Sequence, residues 1–240
     1  MVRRLATVTL LCALAAGSAS KTPAYPGCAP GPDLHFRAAD GTRLVGHRFG
    51  HGTTAVVLAH QTDGDVCQWT PYAKRLAALG YTAIAFDFRG YGLSQRRIYP
   101  ASFRLSADIS AAVKTARRLG AKHVIVVGAS FGANAAVVAA ANTRPPVGGV
   151  VSLSAPASFR LDAVAAARHV QVPALYLAAQ FDEGGQYATD ARTLYAATAS
   201  GDKRVEIVPG SSHGVRLVAG PGKARDLVEA FLRRISGRAG

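Results

Sequence analysis

The chain runs to 240 residues, 49% of them hydrophobic, with a formal net charge of +14. That length and apolar share suit one domain with a complete hydrophobic core. The basic residues are dispersed, with isolated pairs at Arg96-Arg97, Arg117-Arg118 and Arg233-Arg234. This excludes the clustered stripe of a nucleic-acid reader, so no nucleic-acid partner is expected. A solvated basic surface remains, weakly attracted to anionic cell surfaces through the net field.

In chain order, residues 1–20 read as a secretory signal peptide. Arg3 and Arg4 precede an apolar run from Leu5 to Ala16, and the small residues from Ala16 to Ser20 suit cleavage after Ser18 or Ser20. The run is about 12 residues, short of the roughly 20 that cross a bilayer. No later stretch is long or apolar enough, so no transmembrane segment is expected. Neither Cys12, after Thr9-Leu10-Leu11, nor Cys28, after Tyr25-Pro26-Gly27, fits a lipobox. The protein is therefore expected to be secreted. Losing Cys12 with the leader leaves Cys28 and Cys67 in an oxidising compartment, where pairing is permitted. A Cys28–Cys67 disulfide and two free thiols both stay open, because sequence does not supply the Cα spacing a bond requires.

Residues 21–32 (KTPAYPGCAPGP) are rich in Pro and Gly and predict an irregular arm. From residue 33 to 240 short β-rich runs alternate with helical ones. Strands are predicted at 34–38, 43–48, 55–60, 82–87, 123–128, 149–153, 174–179 and 204–208. Helices are predicted near 70–79, 105–119, 131–142, 158–168, 187–199 and 222–236. AVVLA and HVIVVG are continuous apolar runs, the mark of strands covered on both faces. Asp40-Gly41 predicts a hairpin between the first two strands. An antiparallel entry followed by repeated β-α units gives an α/β domain, a mostly parallel eight-stranded sheet flanked by helices.

Gly128-Ala129-Ser130-Phe131-Gly132 closes the run HVIVVG and opens the helix FGANAAVVAAA. A G-x-S-x-G segment in that context is a nucleophile elbow: the serine sits on a strained strand-to-helix turn, and Gly128 and Gly132 let the neighbouring backbones pass. The start of the following helix supplies N–H groups and a positive dipole end. On this motif, and on Asp87-Phe88-Arg89-Gly90-Tyr91-Gly92-Leu93-Ser94, similar to a D-x-R-G-x-G-x-S segment, the chain resembles the α/β-hydrolases over residues 33–236. The likeness is to a secreted, cap-less, serine-esterase-like and dienelactone-hydrolase-like type. Asp87 and Arg89 are expected to anchor the loop and take no part in chemistry.

A serine hydroxyl needs a hydrogen-bonded base held by a carboxylate. The resemblance implies the order Ser, then Asp or Glu, then His. His213, in the loop after the last strand, is the expected base, whereas His169 precedes the acid candidates and reads as a helix C-terminal residue. Asp182 is favoured as the acid over its neighbour Glu183, and Asp162 and Asp190 suit solvated helical faces. The oxyanion formed on attack needs preorganised donors. The resemblance implies the N–H of Phe131 and one from the loop His60-Gln61-Thr62, with Gln61 and Thr62 both open. His60 itself is expected to pack and hydrogen-bond.

The chemistry implied is hydrolysis of a carboxylic ester through an acyl-enzyme. A serine at the elbow argues against dehalogenase and epoxide-hydrolase chemistry, for which the resemblance would require aspartate. No dinucleotide or phosphate loop is legible, no His/Cys/carboxylate cluster has metal-ligand spacing, and neither metal nor cofactor is expected. Only about 17 residues separate Ala155 from Pro173, little more than one crossover needs. That predicts an open site suited to small-molecule or polymer esters. A peptidase or amidase would use the same triad, and a binding protein could keep the fold without the chemistry.

Overall fold

The computed structural model describes residues 34–96 and 104–237. The leader, the Pro/Gly arm and Cys28 lie outside the described residues. In chain order the elements are β1 (Leu34–Arg37), β2 (Arg43–Phe49), β3 (Thr54–Ala59), α1 (Thr70–Ala78), β4 (Thr82–Phe86), α2 (Leu105–Arg118), β5 (His123–Ala129) and α3 (Phe131–Asn142). They continue with β6 (Gly149–Leu153), β7 (Ser158–Phe159), β8 (Leu161–Asp162), α4 (Ala163–Ala167), β9 (Ala174–Ala179), α5 (Gln186–Ala197), β10 (Lys203–Val208), α6 (Arg216–Ala219) and α7 (Lys223–Ile235).

An eight-stranded sheet runs in the order β1-β2-β4-β3-β5-β6-β9-β10. β1 and β2 pair antiparallel, as do β2 and β4, and the remaining neighbours are parallel. The strands read as unbroken apolar runs because each face feeds its own core. Ala55, Val57 and Ala59 join the side covered by α2 to α5. Val56 and Leu58 point to the other side, beneath α1, α6 and α7. β10 closes one edge with Lys203, Arg204 and Glu206 partly exposed, which discourages pairing with another strand.

α7 shows the expected apolar stripe, with Val228, Phe231 and Leu232 buried. Its buried Glu229 receives Nε and Nη2 of Arg75 from α1 at 3.2 and 3.0 Å, fixing the two helices together. α3 is apolar on almost every face, because it lies between the sheet, α2 and α4.

The segment predicted as a helix over 158–168 is corrected. Residues 158–162 form the two-residue strands of a small hairpin, and only Ala163–Ala167 is helical. Asp162 starts that helix by accepting Ala165 N–H at 2.9 Å, and such a cap cannot sit in a helix interior. The passage from β6 to β9 contains nothing more than this hairpin and α4, so no cap is inserted there.

The D-x-R-G-x-G-x-S segment is structural, as expected. Asp87 accepts Val66 N–H and Leu93 N–H, both at 2.9 Å. Buried Arg89 forks onto Asp108 of α2 at 2.5 Å and reaches Asp40 of the β1–β2 turn at 2.7 Å. Among the described residues no helix is long and apolar enough to cross a membrane, and no cluster of metal-ligating side chains occurs.

Candidate active site

Ser130 stands between β5 and α3 with φ 51° and ψ −120°, in the left-handed half of backbone space where a side chain is strained. The fold holds it there from both directions. Its N–H donates to Leu153 O on β6 at 2.8 Å, while its carbonyl accepts the N–H groups of Ala133 and Asn134. The first-turn N–H groups of Phe131 and Gly132 have no acceptor within their own helix and face the sheet's C-terminal edge. A Cβ on Gly128 would come within 2.6 Å of Ala133 Cα, and one on Gly132 within 2.5 Å of Ala59 O. Both positions therefore demand glycine, for close strand–helix approach.

Asp182 and His213 come from the loops after β9 and β10, at the same edge. His213 Nδ1 lies 2.9 and 3.1 Å from the two carboxylate oxygens of Asp182. A carboxylate only accepts, so Nδ1 carries the proton and Nε2 is left as the basic nitrogen. Asp182 is buried and the His213 side chain is 23% exposed. The two loops are stitched together by their backbones: Gln180 N–H donates to Val208 O and Phe181 N–H to Gly210 O. Glu183 is exposed and takes a left-handed conformation (φ 46°), so only Asp182 of the two acids faces the histidine. Of the other carboxylates, Asp162 caps α4 instead of lying on a helical face, and Asp190 sits on the exposed side of α5 as expected, accepting Gln186 Nε2.

The loop after β3 lies across from the elbow. His60 is fully buried between the rings of Phe88 and Tyr91, at 5.0 and 4.9 Å. Its Nε2 accepts Phe88 N–H at 3.1 Å, so Nδ1 carries the hydrogen and donates to Gln61 O at 2.7 Å. Burial pushes its pKa below the ordinary value. Both ring nitrogens are committed, as befits a packing residue. Gln61 is buried and Thr62 exposed. Gln61 Oε1 accepts Val215 N–H at 3.1 Å and its amide donates to Asp63 at 2.8 Å. That hydrogen bond holds the Asp63 carboxyl below the usual range, against the opposing effect of burial.

Two residues at the site carry no signal in the sequence. Tyr187, on the first turn of α5, packs its ring 4.6 Å from the His213 ring. Burial pushes its phenol up, and the neighbouring Ser130 hydroxyl pulls the other way. Ser154, buried just past β6 with φ 52°, accepts Gly214 N–H at 3.0 Å and so braces the histidine loop. Beside Ser130, Phe131 packs against Phe88, Tyr91 and Phe159, with the Arg160 guanidinium 5.3 Å above the Phe159 ring. Phe159 and Phe181 expose apolar surface nearby. Of the cysteines, Cys67 sits half-buried in a 3-10 turn over Val66–Trp69, and Cys28 lies outside the described residues.

Comparison with known proteins agrees with this architecture. Solved structures with the same fold include an esterase of Pyrococcus furiosus, at TM-score 0.71 and 18% identity over 85% of this chain and 90% of that one. A thermophilic esterase of Thermogutta terrifontis superposes at TM-score 0.70 and 14% identity, over 84% and 98% of the two chains. A monoacylglycerol lipase of Paleococcus ferrophilus reaches TM-score 0.67 at 16% identity, over 82% and 99%. Among curated sequences, epoxide hydrolase B of Mycobacterium tuberculosis is 31% identical over 105 residues, 44% of this chain and 30% of that protein. An uncharacterized protein of the same organism is 32% identical over 137 residues, 54% and 48% of the two chains. The chain spans less than half the length of these curated relatives. The family model described as alpha/beta hydrolase fold matches residues 54–216, more than half of the chain, and the protein belongs to the α/β-hydrolase family.

Proposed function

We propose that this protein is a secreted serine hydrolase that cleaves a carboxylic ester through Ser130, His213 and Asp182. The observation that carries the proposal is the hydrogen bond from His213 Nδ1 to Asp182. Asp182 occupies His213 Nδ1, which leaves Nε2 free to accept a proton at the edge where the strained Ser130 turn opens. In this reading Ser130 Oγ attacks the ester carbonyl carbon as His213 Nε2 takes the hydroxyl proton. The developing oxyanion is met by Phe131 N–H and by a backbone N–H of Gln61 or Thr62. Collapse of the intermediate breaks the carbonyl–alkoxy bond, and His213 returns the proton to the departing alcohol. Water, deprotonated by the same nitrogen, then attacks the acyl-enzyme, the acyl–Oγ bond breaks as His213 returns the proton to Ser130 Oγ, and the acid is freed.

The serine separates this reading from the chemistry in the name of the epoxide hydrolase relative, for which the family resemblance would require an aspartate at the elbow. The open approach between β6 and β9 and the exposed rings of Phe159 and Phe181 support accessible, partly apolar esters, small or polymeric. Residues 1–20 are proposed to direct export, and Cys28 to pair with Cys67 outside the cell. Alkylation without reductant, read by intact mass, tests that pairing: two modified thiols would exclude it.

The first experiment is labelling with a fluorophosphonate. An adduct mapped to Ser130 in the wild type and missing from Ser130→Ala is the expected result. Absence of an adduct on folded wild type would favour a binding protein that keeps the fold.

A further inference from the structure

Basic residues that look dispersed along the chain converge at the end of the domain away from Ser130. Arg37 from β1, Lys114, Arg117 and Arg118 from the last turns of α2, and Arg144 from the loop after α3 line one cavity of about 430 Å³. A second cavity of about 280 Å³ shares Arg37, Ala111 and Lys114 with it, and adds the hydroxyl-bearing Ser110 and Asn142 at the end of α3. α3 runs from the elbow to this groove, about 18 Å at the helical rise of 1.5 Å per residue.

No carboxylate answers these charges among the lining residues of either cavity. The hydrogen bonds of these arginines end on neutral oxygens. Arg37 donates to Gly41 O, Arg117 to Pro145 O and Pro146 O, Arg118 to Thr115 Oγ1, and Arg144 to Ala141 O and Thr143 O. The acid of α2, Asp108, is consumed by Arg89 at the other end of the helix. Cations in the last turn of a helix favour its dipole. That accounts for Arg117 and Arg118, but not for the arrival of Arg37 and Arg144 from other elements at the same cavity.

We propose that this groove, lined by Arg37, Lys114, Arg117 and Arg144, is a binding site for a phosphoryl-bearing anion. Guanidinium forks match the oxygens of phosphate in pairs, whereas a lone carboxylate would satisfy one fork and leave the rest. Two adjoining chambers with shared cations suit two linked phosphoryl groups. The site is separate from the ester-cleaving edge and does not depend on that reading.

The test is pyrophosphate binding by calorimetry in 0.1 M KCl, with no turnover involved. Wild type is compared with Arg37→Ala/Lys114→Ala, with Arg117→Gln, and with the charge-matched control Arg168→Ala/Arg204→Ala. Saturable binding that weakens about tenfold or more in both groove variants and stays unchanged in the control is the expected result. Co-sedimentation with phosphatidylglycerol vesicles, repeated on the same variants, tells a lipid-borne phosphate from a free one. Equal losses in groove and control variants would reduce the effect to net charge and overturn the proposal. So would the absence of binding to both probes by folded wild type.

Discussion

The side-chain carbonyl of Gln61, at the end of β3, accepts the backbone N–H of Val215, just past His213. One side chain thus ties the loop proposed to receive the oxyanion to the loop that carries His213, the proposed base. Its amide is held in turn by Asp63, which also takes Gln68 Nε2 at 3.0 Å. A glycine there could not make this connection. Gln61→Ala should lower kcat for an aryl ester about tenfold and destabilise the fold by about 1–3 kcal/mol, the cost of an unpaired buried N–H. Gln61→Glu keeps an acceptor for Val215 but sets a carboxylate oxygen against Asp63 in place of the donating amide, so at neutral pH it should not recover the stability. Thermal unfolding and steady-state kinetics of both variants measure this.

Asp182→Asn should leave the fold intact while presenting an amide to His213 Nδ1, which permits the wrong tautomer. A fall in kcat of about 10⁴ is expected, with KM little changed. Undiminished turnover would remove Asp182 from the triad.

Tyr187→Phe keeps the ring against His213 and deletes only the hydroxyl beside Ser130. It should cost less than about tenfold in kcat/KM, whereas Tyr187→Ala removes the packing and should cost more. Comparing labelling rates of the two variants with fluorophosphonate separates loss of histidine placement from loss of substrate binding.

Gly132→Ala inserts a methyl group against the carbonyls of Ala59 and His60. The backbone would have to move, at a cost of about 1–3 kcal/mol. Because the same shift disturbs the elbow, activity should fall well before the protein unfolds. Denaturant titration alongside esterase assay would show the two losses separately.

His60 links stability to pH. Its folded pKa lies below the ordinary 6.5 because burial disfavours the charged ring. The unfolded chain therefore binds this proton more readily than the folded one. The stabilisation is complete above pH 6.5 and declines as pH falls below it, toward the depressed folded value. The slope from this single group is at most about 1.4 kcal/mol per pH unit. In urea titrations between pH 5 and 8, His60→Asn should show a shallower decline than wild type, and parallel slopes would assign the effect elsewhere.

The strands were legible because burial on both faces imposes unbroken apolar runs, as in β3 and β5. The elbow and the loops of Asp182 and His213 follow from where those runs end. The hairpin over 158–162 was not legible, since Ser-Phe-Arg-Leu-Asp followed by alanines reads as the start of a helix until Asp162 caps it. Tyr187 and Ser154 reach the site through tertiary packing alone, and neither has a local pattern to announce it. Convergence of Arg37, Lys114, Arg117, Arg118 and Arg144 was likewise hidden, because β1, α2 and the loop after α3 are distant in the chain.

The small hairpin between β6 and α4 has a bearing on engineering. It is pinned at its base, where Asn134 Nδ2 donates to Pro156 O and Leu161 O at 3.0 and 3.1 Å. Its tip, Phe159 and Arg160, is exposed, and Arg160 already spends energy on a left-handed backbone. A tip that is exposed while its stem is anchored tolerates added sequence better than any packed turn. Replacing Arg160 with a grafted helical pair would put a roof above Ser130 without touching the sheet, turning an unroofed scaffold into one whose selectivity can be chosen by what is built on top.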